Sequence, residues 1–138
     1  MRICAYTLIF QPKRQPMQNV IKTMKALADE TRLRIMKVLL ERACCVCEIM
    51  QALDISQSRA SRNLSILQDA GFLKTNRDGL WIVYSIDWQT ANRYAISLAN
   101  LLRDTSINND ILKRDKARLK RTKRIGPGCR RGNTKKNK

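Results

Sequence analysis

Three observations predict a mainly α-helical domain carrying one β-hairpin. Apolar residues recur at helical spacing through residues 17–70. Two short helices in that region are separated only by Asp54-Ile55-Ser56. Two runs of alternating apolar residues then flank Asp78-Gly79. Helix, helix, a closely joined helix pair, hairpin and helix is the order of a winged helix-turn-helix.

Each element has its own signal. Val20, Met24, Leu27 and Ala28 place the first helix at residues 17–28. Asp29 is an N-cap residue followed by Glu30, which starts a second helix over 30–42 with Leu33, Met36, Val38, Leu39 and Leu40 as apolar surface. Cys45, Ile49, Met50 and Leu53 predict a third helix over 45–53. Ser56 caps a fourth over 57–70, whose inward face is Ala60, Leu64 and Leu67 with Ile66 beside them. Gly71 stops it. Residues 72–76 and 80–86 read as strands around Asp78-Gly79, a hairpin dipeptide. Ala91, Ala95, Leu98 and Leu102 predict a last helix over 88–103.

Charge divides the chain further. It has 138 residues, 28 Lys and Arg against 11 Asp and Glu, and a net charge of +17. Residues 113–138 carry +12 of that, residues 1–16 carry +3, and residues 17–112 carry only +2. The expected organisation is an N-terminal extension at 1–16, a nearly neutral domain at 17–103, and a basic, disordered tail at 104–138. Such a tail adds sequence-independent affinity for polyanions. Residues 3–10 are apolar but too few to span a membrane. Five cysteines at uneven spacing do not suit a secreted disulfide framework, and a reducing cytoplasm fits them better.

The chain contains no histidine. Ser-His and Cys-His catalysis and His-based zinc sites are therefore excluded. There is no Cys-x5-Arg loop and no glycine-rich phosphate loop, so an enzyme is not expected. The fourth helix instead presents Gln57, Ser58, Ser61, Arg62 and Ser65 outward, with Arg59 and Asn63 at the edges. Short polar side chains with Arg and Gln suit base edges in a major groove. Lys74, Asn76 and Arg77 on the wing suit phosphates or the minor groove. A non-specific nucleic-acid-packaging protein would account for the tail but not for the thiols.

Three segments resemble the ArsR/SmtB family of metal-responsive repressors. They are Leu27-Ala28-Asp29-Glu30-Thr31-Arg32-Leu33-Arg34-Ile35, then Ser56-Gln57-Ser58-Arg59-Ala60-Ser61-Arg62-Asn63-Leu64 followed by Leu67-Gln68-Asp69-Ala70-Gly71-Phe72-Leu73, and the wing strand Gly79-Leu80-Trp81-Ile82-Val83-Tyr84-Ser85-Ile86. The resemblance covers residues 17–103 in order. Arg59 and Asn63 depart from the family pattern, which more often has a smaller residue and a histidine there. The resemblance implies a homodimer packed through the first and last helices. It implies an inverted-repeat DNA operator, an inducer that releases it, and no constitutive cofactor.

The thiols supply the inducer reading. Cys44, Cys45 and Cys47 fall within four positions, and Cys45-Val46-Cys47-Glu48-Ile49 resembles the Cys-Val-Cys-Asp-Leu element of the arsenic- and antimony-responsive members. Trivalent arsenic is thiophilic, and soft ligands select soft ions. A Cd/Pb-responsive or thiol-redox repressor of the same fold is the alternative. At the first turn of a helix the positive dipole end lowers thiol pKa, and Arg42 adds to that effect. Cys45 and Cys47 would lie about 200° apart on an ideal helix. Cys44 and Cys47 would share a face. A three-thiol site is then expected to unwind the turn. Met50 stands where some members carry a third cysteine, leaving Cys44 as the candidate third ligand and Cys129 as the runner-up.

Overall fold

The computed structural model describes residues 16–125. In chain order it contains α1 (Pro16–Leu27), α2 (Glu30–Glu41), β1 (Cys44–Cys45), α3 (Val46–Leu53), α4 (Gln57–Asp69), β2 (Leu73–Asp78), β3 (Trp81–Ile86), α5 (Arg93–Asp104) and α6 (Asp110–Leu119). The expectations for residues 1–15 and 126–138, Cys129 included, lie outside the described residues. Among those described, no helix is long and apolar enough to cross a membrane.

Caps set the boundaries. Asp29 accepts the Arg32 amide at 3.1 Å and starts α2. Ser56 accepts the Arg59 amide at 3.2 Å and starts α4. Each side-chain oxygen satisfies an amide that has no partner inside its helix. Between α3 and α4 the chain reverses through Asp54 in the left-handed region, φ 57°. Gly71 follows α4 with φ 92°, and a Cβ there would meet Thr90 Oγ1 and Asn92 Cβ at 3.0 Å.

The hairpin pairs Asp78 with Trp81, so its turn residues are Gly79 and Leu80. Gly79 alone has positive φ (62°), the pattern of a type II′ turn. The last helix starts at Arg93, not residue 88. Asp87 and Thr90 form a turn through side-chain and backbone bonds, and Asn92 then caps α5 by accepting from Tyr94 and Ala95.

Ile35, Met36, Ile49, Ala52, Ala60, Leu64 and Leu67 are fully enclosed between α2, α3 and α4, with Phe72 beside them. Ile66, expected inward, is 37% exposed. Met17, Ile21 and Met24 on α1, and Tyr94 and Leu101 on α5, are also exposed although α1 packs against α5.

Two larger differences bear on function. The helix expected from Cys45 begins one residue later, because Cys44 and Cys45 form a short strand. They pair antiparallel with Tyr84 and Val83, giving the strand order β1-β3-β2. An open edge of β3 offered backbone partners that the preceding loop could satisfy.

The expected disordered tail from residue 104 is corrected over 110–119, which form α6. Asn109 caps it, and it packs on α3 and α2. Asp115 on α6 is buried and takes two hydrogen bonds from Arg34, at 2.7 and 2.9 Å, while Arg34 also donates to Leu53 O. The Asp115 hydrogen bonds hold the Arg34 pKa above its ordinary value against the opposing effect of burial. A charged segment thus docks through an ion pair and Leu119, with little apolar periodicity for a sequence pattern to reveal.

Candidate functional site

Cys45 is the N-cap of α3, in extended conformation (φ −83°, ψ 172°). That backbone lets its side chain turn back over the first helical turn. Its Sγ lies 2.8 Å from Cys47 Sγ, and both residues are buried. The expected separation of about 200° around a helix therefore does not apply, since Cys45 is not helical. Cys47 takes part in a disulfide.

Cys44 lies elsewhere. Successive strand residues point to opposite faces, and Cys44 joins the main core while Cys45 and Cys47 form a separate cluster against Trp81. Among the described residues, no three of His, Cys, Asp and Glu are grouped to hold a metal ion. The expected set of Cys44, Cys45 and Cys47 is thus a pair and an outlier.

The thiol electrostatics also differ from expectation. Burial pushes the Cys44 thiol up to about 12, with the nearby Arg42 charge offsetting only part of the effect. Burial likewise raises Cys45, opposed by its backbone contact with Glu48. Desolvation outweighs the helix dipole at these depths. Arg42, expected to serve the thiols, is engaged mainly by Glu48 Oε2 at 2.7 Å, Thr122 Oγ1 at 2.8 Å and Leu119 O at 3.2 Å.

Glu48 organises this corner. Its Oε1 accepts the Cys45 amide at 3.0 Å and Arg124 Nε at 3.3 Å. Burial alone would raise its carboxyl, but the Cys45 amide and Arg42 outweigh that and lower it below the ordinary range. Arg124 also pairs with Asp78 at 2.6 Å and stacks over Trp81 at 5.7 Å. The Trp81 Nε1 is buried without a hydrogen-bond partner. Gln51 Nε2 donates to Cys47 O at 3.0 Å and Lys123 O at 2.7 Å, while its Oε1 accepts from Lys123 N at 3.1 Å. Glu48 was legible as the reciprocal position of a capping box three residues after Cys45. Gln51, Trp81 and Arg124 gave no sequence signal, since their roles depend on contacts across the fold.

On α4 the polar face splits. Ser58 and Arg62 are exposed, and Gln57 and Ser61 are half-buried. Lys74, Asn76 and Arg77 are exposed on β2. Arg59 donates to Thr31 Oγ1 at 2.7 Å, which ties its guanidinium to α2. Asn63, expected at the edge of the reading face, is only 6% exposed. It accepts from Arg32 Nη1 at 3.0 Å and donates to Arg59 O at 2.8 Å. This edge position of the expected reading face therefore points into the α2–α4 contact, since it lies one residue from inward-facing Leu64, while Ser65 is exposed.

Residues 29–75 match the model of the bacterial regulatory protein arsR family. The chain is 43% identical over 67 residues to an arsenical resistance operon repressor of Escherichia coli, covering 48% of this chain and 57% of that protein. It is 40% identical over 76 residues to a CadC homolog from Staphylococcus aureus, a cadmium resistance transcriptional regulatory protein, covering 54% and 62%. The chain thus spans less than two thirds of these two relatives. An arsenical resistance operon repressor of Bacillus subtilis is 32% identical over 83 residues, covering 59% of this chain and 79% of that protein. Among solved structures, the homodimeric winged helix-turn-helix domain of Mb0332 from Mycobacterium bovis is similar at a TM-score of 0.54 and 29% identity. It covers 63% of this chain and 77% of that one. With this fold and these relatives, the chain is a winged helix-turn-helix member of the ArsR family of bacterial regulatory proteins.

Proposed function

We propose that this protein is a homodimeric transcriptional repressor that binds an inverted-repeat operator and releases it when trivalent arsenic or antimony binds Cys45 and Cys47. The observation that carries the reading is the 2.8 Å approach of the two sulfurs at the N-cap of α3. Cys45 also pairs with Val83 of the wing strand. One short segment therefore joins the soft-ligand pair to both halves of the DNA-binding motif. Gln57, Ser58, Ser61 and Arg62 face bases, Lys74 and Arg77 face phosphates, and Arg59 holds α4 against α2. The exposed apolar residues of α1 and α5 support dimerisation through those helices.

The switch follows from geometry. An ion held by both thiolates draws Cys45 out of the arrangement in which it caps α3. Cys45 is both a β1 residue and the α3 cap, so its shift strains the β1–β3 pairing and the start of α3 together. An inducer acts only through such a difference in affinity between two states.

Two observations favour a second reading. Cys47 is disulfide-bonded, which suits a thiol-redox repressor, and one relative is named for cadmium resistance, which suits a softer divalent ion. Operator release should be titrated with arsenite, antimonite, cadmium and peroxide on reduced protein. Arsenite is expected to release wild type at the lowest concentration, and Cys45→Ser or Cys47→Ser to need at least about tenfold more. Release by peroxide alone would establish the redox reading instead.

A further inference from the structure

We infer that Arg124 is the positioning residue that couples the thiol pair to the wing. This coupling rests on the arsenic-binding reading of Cys45 and Cys47 and adds the route by which that site reaches the DNA-binding surface. After α6 the chain carries Arg124 to a point where it touches both the start of α3 and the turn end of the hairpin.

One guanidinium holds three groups there. Its Nε donates to Glu48 Oε1 at 3.3 Å, its Nη1 donates to Asp78 Oδ2 at 2.6 Å, and its Cζ lies over the Trp81 ring at 5.7 Å. Glu48 Oε1 is the same oxygen that accepts the Cys45 amide at 3.0 Å. Trp81 packs against Cys45 and Cys47. Two of the three contacts therefore follow the position of the sulfur pair. The third lies on the wing, where Asp78 ends β2 and stands opposite Trp81. The backbone beside Arg124 is fixed from the sensor side as well. Lys123 exchanges two hydrogen bonds with Gln51, whose amide also donates to Cys47 O.

The turn end of the hairpin needs such a tie. β1 pairs with Tyr84 and Val83, so Asp78, Trp81 and the turn between them extend past it. A two-stranded hairpin is marginal by itself. Glu48 is buried and Asp78 exposed, so the sensor end of the link is the better shielded from solvent and the stronger anchor.

Two states follow. In the resting state Cys45 caps α3, Glu48 holds its amide, and Arg124 holds the wing in place for phosphate contact by Lys74 and Arg77. An ion that draws Cys45 from its cap takes the amide from Glu48 Oε1 and displaces the surface under Trp81. Arg124 then no longer spans both carboxylates, and the turn end is released. Arg124 thus favours the operator-binding state and opposes the inducer-binding one, the difference that linkage requires.

The test uses full-length reduced protein in two measurements, operator binding without arsenite and calorimetric titration of arsenite without DNA. Arg124→Ala is expected to weaken operator binding by at least about fivefold and to tighten arsenite binding by a similar factor. Asp78→Ala should move both in the same directions, although it removes a negative charge from the wing. Charge alone would make its operator binding tighter. Because Asp78 is exposed, its variant carries the test on its own if Arg124→Ala destabilises the chain. Unchanged or tighter operator binding in Asp78→Ala overturns the coupling. So does weaker operator binding in either variant with arsenite affinity unchanged, the mark of a contact local to DNA. Wild-type arsenite affinity in Cys45→Ser and Cys47→Ser would instead overturn the arsenic-binding reading beneath it.

Discussion

Cys44 and Cys45 are adjacent in sequence and differ in environment because a strand sends neighbours to opposite faces. Cys44 packs in the core and hydrogen-bonds to Arg42 O at 3.5 Å, while Cys45 faces Cys47. The thiol of Cys44 titrates near 12 in the folded protein against 9.0 ordinarily. The unfolded chain therefore loses this proton first as pH rises. The stabilising contribution is complete below about 9 and disappears toward about 12. Cys44→Ala is expected to flatten that alkaline loss in urea melts recorded from pH 8 to 11. Asn63 sets a second residue-scale expectation. Its amide joins α2 to α4 through Arg32 and Arg59 O. Asn63→Ala should cost about 1–2 kcal/mol in urea unfolding and leave operator sequence preference intact. A changed preference with unchanged stability would place Asn63 at the bases after all.

At the scale of elements, α6 is the principal addition to the winged domain. Its attachment includes one buried ion pair, with the Arg34 and Asp115 side chains 15% and 2% exposed, beside buried Leu119. Removing one partner of such a pair leaves a buried charge unmatched, so Asp115→Asn should destabilise the fold by about 3 kcal/mol, measured by chemical denaturation. Lys116–Glu41 at 2.9 Å is half-exposed and contributes little by comparison. The sequence predicted α2, α4 and the hairpin because a cap, an apolar period and a turn residue agreed in each. It did not reveal α6 because the buried face carries Asp115, and charged composition normally indicates a solvated segment. Asn109 and Asp110 were valid start signals, but no apolar stripe followed them.

Across the whole molecule, α1 and α5 leave apolar side chains exposed, with Leu101 at 57%. A few such residues are ordinary on a monomer, but here they lie on the two helices through which the family resemblance places the dimer. Leu101→Glu is expected to shift sedimentation toward monomer and weaken operator binding, while leaving the helical circular dichroism unchanged. Unaltered sedimentation would move the dimer interface elsewhere.

The sequence alone determined the winged order of helices and hairpin and the spacing of the thiols. Caps, turn glycines and thiol chemistry are local, and the absence of histidine is a fact of composition. Tertiary structure decided which thiols meet and which side chains govern them. β1 exists only because β3 has an edge to pair with. Arg124 reaches Glu48, and Lys123 reaches Gln51, only because α6 returns the chain to the start of α3. Such contacts join residues more than 70 positions apart, and no local period encodes them.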